Sequence, residues 1–233
     1  MIDSTTEEPM TSTGIFFAVY DEAAAILKDP FYEWEKNGMA WSSKRFALSL
    51  VVSGIGKAFA SFAAHPLISR HERILIMGTS GGLADEKVGS VYLVDEFIEY
   101  DMDATGLGFA LGVTPFSGMK SEVISNAGDA YRSAVQAAAD AAGVGLTKGR
   151  AISGDRFVSD PAVSKRLEKD LGASVVDMES AAVAKLCWRE KRGVLALRYV
   201  SDNANHDSAT DWQTNVVRSS AVFNEILKRF AEG

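Results

Sequence analysis

One cysteine, Cys187, and three histidines, His65, His71 and His206, are all that 233 residues offer to a disulfide or a soft metal. A lone cysteine cannot close an internal disulfide, and it suits a reducing compartment. The histidines do not fall at an HxxxH spacing and no CxxC is present, which argues against a zinc site. Long apolar runs are also missing: none approaches the roughly 18–20 residues that span a bilayer. The opening stretch MIDSTTEEP has neither the basic nor the apolar region of a signal peptide. Proline is scarce, with 5 residues, and the 20 glycines are scattered, so no linker divides the chain. Cations are outnumbered, with 24 Lys+Arg against 31 Asp+Glu and a net charge of −7, and they do not cluster. That balance disfavours nucleic acid as a partner. The expectation is a cytoplasmic protein without a membrane or nucleic-acid partner, with residues 1–12 as a disordered tail and residues 13–233 as one domain.

Hydrophobic residues at 47% and charged residues at 24% are enough for a packed core. Strand-like and helix-like segments alternate. Gly14–Tyr20, Arg45–Ser53, Arg73–Met77, Val88–Tyr100, Val175–Asp177 and Val194–Ser201 read as strands. Helices are expected over Asp21–Lys28, Lys57–Ser69, Asp129–Ala142, Glu179–Lys191 and about Thr214–Phe230, with Asp160 and Pro161 opening another. This alternation predicts an α/β fold: a single three-layer domain whose central mixed sheet is flanked by helices. Glu22, the glycine-rich turn Gly78–Gly82, Met178 with Glu179, and Ser201 with Asp202 each follow a strand. Ligands bind outside the carboxyl ends of strands in such folds, so these groups mark a candidate site.

Single motifs are ambiguous. Gly54-Ile55-Gly56-Lys57 lacks the spacing of a phosphate loop and reads as a tight strand-to-helix turn. Gly78-Thr79-Ser80-Gly81-Gly82 fits G-x-S-x-G, but no helix follows to support a strained nucleophile. A turn whose bare backbone embraces a ligand fits it better. Asp177-Met178-Glu179-Ser180 can be an acidic first helical turn favoured by the helix dipole. Ser201-Asp202-Asn203 can be a capping turn and Ser153–Phe157 a plain loop.

In combination and order, GIFFAVYDEAAAIL, VSGIGKAFA, MGTSGGL, GSVYLVDEFIEYDMDATGLGF, SGDRFV, VVDMESAAVAKLC and LRYVSDNAN resemble the nucleoside phosphorylase/nucleosidase superfamily. Within it they are most similar to the 5′-methylthioadenosine/S-adenosylhomocysteine nucleosidases. The resemblance runs from about Gly14 to the C-terminus and is loose between Pro30 and Arg45. It implies hydrolysis of the bond between adenine N9 and ribose C1′, with no cofactor and no metal. It makes Asp202 the acid that protonates adenine N7, oriented by Ser201. Such an acid must hold its proton near neutrality, through a raised pKa or a proton shared with the base. Glu22 matches the glutamate that holds and activates water, and Glu179 the one that binds the ribose hydroxyls. Met178 matches the residue beneath the sugar, Phe157 the aromatic stacked on adenine, and Val158 the backbone that reads its edge. Thr79, Gly81 and Arg198 fall around the water and the glutamates. Val19 lies near the ribose, and Trp212 falls on a C-terminal mobile segment that can lid the pocket.

Several positions depart from the family pattern: Thr79-Ser80 for serine-alanine, Tyr100 for a histidine, Val19 for a methionine, and Asn205 for an acid. They leave the 5′ substituent open. Ile76 stands where phosphorylases of this type carry an arginine, and no arginine follows Tyr20, which favours water over phosphate. Phosphorolysis, futalosine-type or AMP nucleosidase activity, and a non-catalytic nucleoside-binding role remain as alternatives. The resemblance also implies a homodimer, in which Leu107 and Phe109 reach towards the neighbour's pocket or else fill the core.

Overall fold

The computed structural model describes residues 12–83 and 86–233. The expected N-terminal tail therefore lies, apart from Ser12, outside the described residues. The chain runs β1 (Thr13–Phe17), α1 (Tyr20–Lys28), β2 (Trp34–Asn37), β3 (Ala40–Ser43), β4 (Leu48–Val52), α2 (Lys57–Arg70), β5 (Arg73–Gly82) and β6 (Val91–Glu99). It continues with β7 (Glu122–Ile124), α3 (Asp129–Ala141), β8 (Leu146–Ser153), α4 (Pro161–Leu171), β9 (Val175–Asp177), α5 (Ser180–Arg189), β10 (Gly193–Asp202) and α6 (Ser208–Glu232). Short 3-10 turns occupy Pro30–Tyr32 and Thr105–Leu107. The expected α/β architecture with a mixed sheet is what the structure shows.

The inner strands are apolar on both faces because helices cover both. Ile15, Phe17, Leu75, Met77, Leu195 and Leu197 meet Ile26 of α1, Tyr131 of α3 and Phe223 of α6. The alternate residues Phe16, Ile74, Ile76, Val194 and Ala196 meet Ala64 and Leu67 of α2 and Val183 and Cys187 of α5. The period-2 alternation of a strand thus splits one apolar run between two cores.

The sheet is not an open fan. β5 pairs with β10 in parallel, β10 with β6 antiparallel, β6 with β8 and β8 with β9 in parallel, and β9 returns antiparallel to β5. These strands close a ring. β1 and β4 extend it from β5, with the β2–β3 hairpin at the outer end, and β7 pairs with β6. Closure brings the ends of β5, β8, β9 and β10 together.

Some expectations are corrected. Gly78–Gly82 is not a turn: β5 continues through it. Its glycines answer crowding, since a Cβ on Gly78 would stand 2.5 Å from Arg198 Nη1 and 3.1 Å from Glu22 Oε1. Ser201 and Asp202 are not a turn either but the last residues of β10, and the register slips between Val200 and Asp202. That bulge lets two adjacent side chains face one cleft, where an unbroken strand would send them to opposite faces. The strand expected over Arg45–Ser53 begins only at Leu48. The β2–β3 hairpin, β7 and β8 had no forecast; their short or largely exposed strands carry little apolar periodicity. The last helix starts at Ser208, earlier than expected, so Trp212 belongs to its second turn.

Packing at β1 gives a direct test. A Cβ on Gly14 would stand 2.6 Å from Leu67 Cγ, whereas one on Gly145 meets nothing within 4 Å. Gly14→Ala is expected to destabilise by about 1–3 kcal/mol through overpacking. Gly145→Ala should leave the urea midpoint unchanged or slightly raised. Equal midpoints for the two variants would show that α2 does not press on β1 as described.

Candidate active site

An open cleft lies where β1, β5, β9 and β10 end. Glu22, Glu179, Asp202, Met178, Phe157, Val158, Ser201, Thr79, Gly81, Val19 and Trp212 all line it. Arg198 stands behind the wall, 1% exposed. Leu107 is not in this chain's cleft; it is 71% exposed on its 3-10 turn, so it is not core either. Phe109 is half-buried and packs edge-on against Phe116.

Glu22 is in the first turn of α1. Its Oε2 accepts the Val19 N–H at 3.2 Å, the carboxylate half of a capping box. Its Oε1 accepts the Thr79 N–H and the Thr79 hydroxyl, both at 2.7 Å. Trp212 Nε1 donates to Thr79 Oγ1 at 3.0 Å and so ties α6 to the same group. Burial pushes the Glu22 carboxyl above the ordinary range, against the pull of Thr79, Arg198 and Val19.

Glu179 opens α5 and is 5% exposed. Its capping duty is taken by Asp177, whose Oδ1 accepts the N–H groups of Glu179 and Ser180 at 3.0 Å each. The acidic first turn therefore divides its work: Asp177 satisfies the helix and Glu179 is released to the cleft. Glu179 Oε1 accepts the Gly56 N–H at 2.8 Å. Burial, then the charge on Asp177, push its pKa up to about 8. Arg198 holds the region together. Its Nε lies 2.9 Å from Asp177 Oδ2 and donates to Ser180 Oγ, and its Nη1 donates to the Thr79 carbonyl at 3.3 Å.

Asp202 is 2% exposed. Ser201 Oγ donates to its Oδ2 at 2.8 Å, and the Ala204 N–H to its Oδ1 at 2.9 Å. Gly81 leaves room for it, since a Cβ there would come within 3.2 Å of Oδ1. Apolar walls complete the cleft: Met178, Val158, Phe157, which is 46% exposed at the rim, and the indole of Trp212.

Sequence reasoning missed the part played by the Gly54–Lys57 segment. It is a tight turn, as read, with φ of +92° and +97° at its two glycines. It is also part of the site, because Ile55 lines the cleft and Gly56 holds Glu179. The positive φ at Gly56 turns that N–H inward, and no spacing rule announces it. Arg156, the only cation lining the cleft among the described residues, was likewise passed over inside SGDRF.

Comparison with known proteins places the chain in a family. Residues 16–232 match the phosphorylase superfamily. A curated relative, the 5′-methylthioadenosine/S-adenosylhomocysteine nucleosidase of Shewanella piezotolerans, is 32% identical over 173 residues, covering 72% of this chain and 73% of that one. The nucleosidase of the same name from Neisseria meningitidis, solved in complex with methylthio-immucillin-A, superposes with a TM-score of 0.85 at 24% identity, covering 95% and 98% of the two chains. Futalosine hydrolase of Helicobacter pylori gives 0.83 at 22% identity, covering 95% and 97%. The two structures show the shared fold. The extent of the family match, with relatives above 30% identity over most of their own length, means that this chain belongs to the phosphorylase superfamily and, within it, to the 5′-methylthioadenosine/S-adenosylhomocysteine nucleosidases, a family of N-ribosyl hydrolases.

Proposed function

We propose that the protein hydrolyses the N-glycosidic bond of 5′-methylthioadenosine and S-adenosylhomocysteine and releases adenine. One observation carries this reading: three buried carboxyl groups, Glu22, Glu179 and Asp202, line a single open cleft beside an aromatic rim. Cleavage of a glycosidic bond through an oxocarbenium-like transition state needs an acid on the leaving group and a base on the water. Asp202 gives its proton to adenine N7, and the C1′–N9 bond breaks with its electrons going to the base. Water adds to C1′ from the opposite face and yields its proton to Glu22. Its raised pKa makes Glu22 a stronger base than an exposed glutamate. Glu179 takes the ribose hydroxyls. Met178 and Val19 pack against the sugar, Phe157 stacks on adenine, and the Val158 backbone reads its edge. Ser201 orients Asp202, Thr79 orients Glu22, and Trp212 closes the side of the cleft.

Water is favoured over phosphate because Arg198 is already committed to Asp177 and Ser180. A phosphate beside Glu22 would meet like charge that the committed Arg198 could not offset. A homodimer accompanies this reading. Leu107 and Phe116 are exposed, as are Phe59 and Phe62 of α2. Such exposed large apolar side chains suit contact with a second copy. The location that goes with it is the cytoplasm, in keeping with a single buried cysteine.

Adenine release should be the same with and without phosphate across methylthioadenosine, S-adenosylhomocysteine, 5′-deoxyadenosine, adenosine and inosine. A requirement for phosphate, with a ribose 1-phosphate product, would overturn hydrolysis. Activity confined to a nucleoside with another 5′ group or base would move the substrate and keep the chemistry.

Asp202→Asn should lose nearly all adenine release, at least about 10²–10⁴-fold, with substrate affinity largely kept. The loss should be far smaller on a p-nitrophenyl riboside, whose leaving group needs no protonation. Equal losses on the two substrates would make Asp202 a structural or positioning residue.

With its pKa at about 8, Glu179 carries a proton at pH 7 in the empty cleft. Ribose hydroxyls donate to the ionised form and lower that pKa, so binding should release a proton at pH 7. Calorimetry of an inert nucleoside analogue in buffers of different ionisation enthalpy measures it. Glu179→Gln should abolish the release, and a wild-type value of zero would count against the contact. The same shift acts on folding. Stability is fully present below the unfolded value near 4.5 and is lost as pH rises towards 8. Glu179→Gln should therefore raise the urea midpoint more at pH 8 than at pH 5.

A further inference from the structure

Beyond the groups that line the cleft, a closed circuit of hydrogen bonds joins two of its walls. The Lys57 N–H donates to Asp155 Oδ1 at 2.8 Å. The Asp155 N–H donates to Asp101 Oδ2 at 2.9 Å. Asp101 Oδ1 accepts from Lys57 Nζ at 2.6 Å, which returns the circuit to its start. A second carboxylate, Glu99, accepts from Lys57 Nζ at 2.7 Å and also from Lys185. The two lysines anchor Glu99 at the end of β6.

The neighbours of these residues are the cleft itself. Gly56, one residue before Lys57, gives its N–H to Glu179. Phe157 and Val158, two and three residues after Asp155, form the aromatic wall. The backbone is shaped to allow the closure. A Cβ on Gly154 would stand 2.6 Å from the Tyr100 ring and 3.0 Å from Asp101 Cγ. A Cβ on Gly56 would stand 3.2 Å from Asp155 Oδ1. Two successive N–H groups at the start of α2 are thus shared out, Gly56 to a cleft carboxyl and Lys57 to the circuit. Asp155 itself is exposed and touches neither core.

We infer that Asp155 is a positioning residue for the hydrolytic reaction: through the Lys57 N–H it fixes the Gly56 amide that aims Glu179. The inference rests on the role given to Glu179 under the proposed function. A hydrogen bond across 98 residues of chain between two loops restricts both at small cost, because the partners are already ordered by β8 and α2. Asn at position 155 keeps an oxygen for the Lys57 N–H, and Ala does not.

The test compares Asp155→Ala and Asp155→Asn by kcat and KM on 5′-methylthioadenosine and its 2′-deoxy analogue. Hydrogen exchange at the Gly56 amide is followed in parallel. Asp155→Ala should lower kcat/KM on the ribosyl substrate by about tenfold or more, the scale of a displaced reacting geometry. The loss should be several-fold smaller on the 2′-deoxy substrate, and Asp155→Asn should recover most of the activity. In a Glu179→Gln background the Asp155→Ala loss should largely vanish, since the two act on one contact. Gly56 exchange should accelerate in the alanine variant and recover in the asparagine variant. Equal losses on both substrates, or losses that multiply with Glu179→Gln, would overturn the inference and leave Asp155 a general support of the loop. If neither nucleoside is cleaved by the wild type, the hydrolytic reading fails on its own, and Gly56 exchange still decides: unchanged exchange in Asp155→Ala overturns the positioning role.

Discussion

The cleft depends on one buried guanidinium. Arg198 lies inside β10, 1% exposed, among Asp177, Ser180, Glu22 and the Thr79 carbonyl. A charge so placed is tolerable only when paired and hydrogen-bonded. It therefore constrains everything around it. Asp177 must be turned towards it. Gly78 must lack a side chain, because a Cβ would collide with Nη1. Glu22 and Glu179, which both feel its positive charge, can then be buried without a direct ion pair of their own. Removing Arg198 would leave several buried acids uncompensated, so its contribution is shared among the groups it permits.

The carboxyl groups differ because their surroundings differ. Glu22 is held by two donors on Thr79 and one on Val19, all offsetting burial. Glu179 has one backbone donor and a neighbouring acid, and its pKa is pushed up to about 8. Burial raises the pKa of both glutamates, and carboxyl groups shifted upward in a cleft are suited to proton exchange nearer neutrality. The fold supports this at a cost in stability, since a buried acid that ionises readily when unfolded favours the unfolded chain as pH rises.

Geometry at the strand ends turns these tendencies into a site. Ring closure through β9 pairs Val176 and Val175 with Gly81 and Gly82, although more than ninety residues separate them in sequence, and so carries the residues that follow β9 to the cleft. The bulge in β10 keeps Ser201 beside Asp202 on one side of the wall. The N-terminus of α2 closes the remaining edge through Gly56 and Lys57. The turn into α2 uses Gly54 and Gly56 at positive φ, and Ala204, just past Asp202, also has a positive φ of 48°.

Local chemistry was enough to make much of this legible in the sequence. The buried strands are visible because apolar residues covered on both faces give unbroken runs, as in Arg73–Met77. Helix ends are visible where Asp160 and Pro161 supply a cap and a fixed φ. Glu22, Glu179 and Asp202 stand out because acids at the ends of apolar strands have few structural uses, and their order along the chain carried the family resemblance. What tertiary structure decided is what depends on partners distant in sequence. Gly78–Gly82 looks like a turn from its glycines, yet it is strand, because Arg198 and Glu22 need the space those missing side chains leave. The exposed hairpin of β2 and β3 shows no apolar period to read. Gly56 looks like an ordinary turn glycine until β9 and α5 bring Glu179 to its amide. The bulge at Ser201 exists only as a mismatch in register between β10 and β5, and register is a property of two strands that neither one's sequence contains.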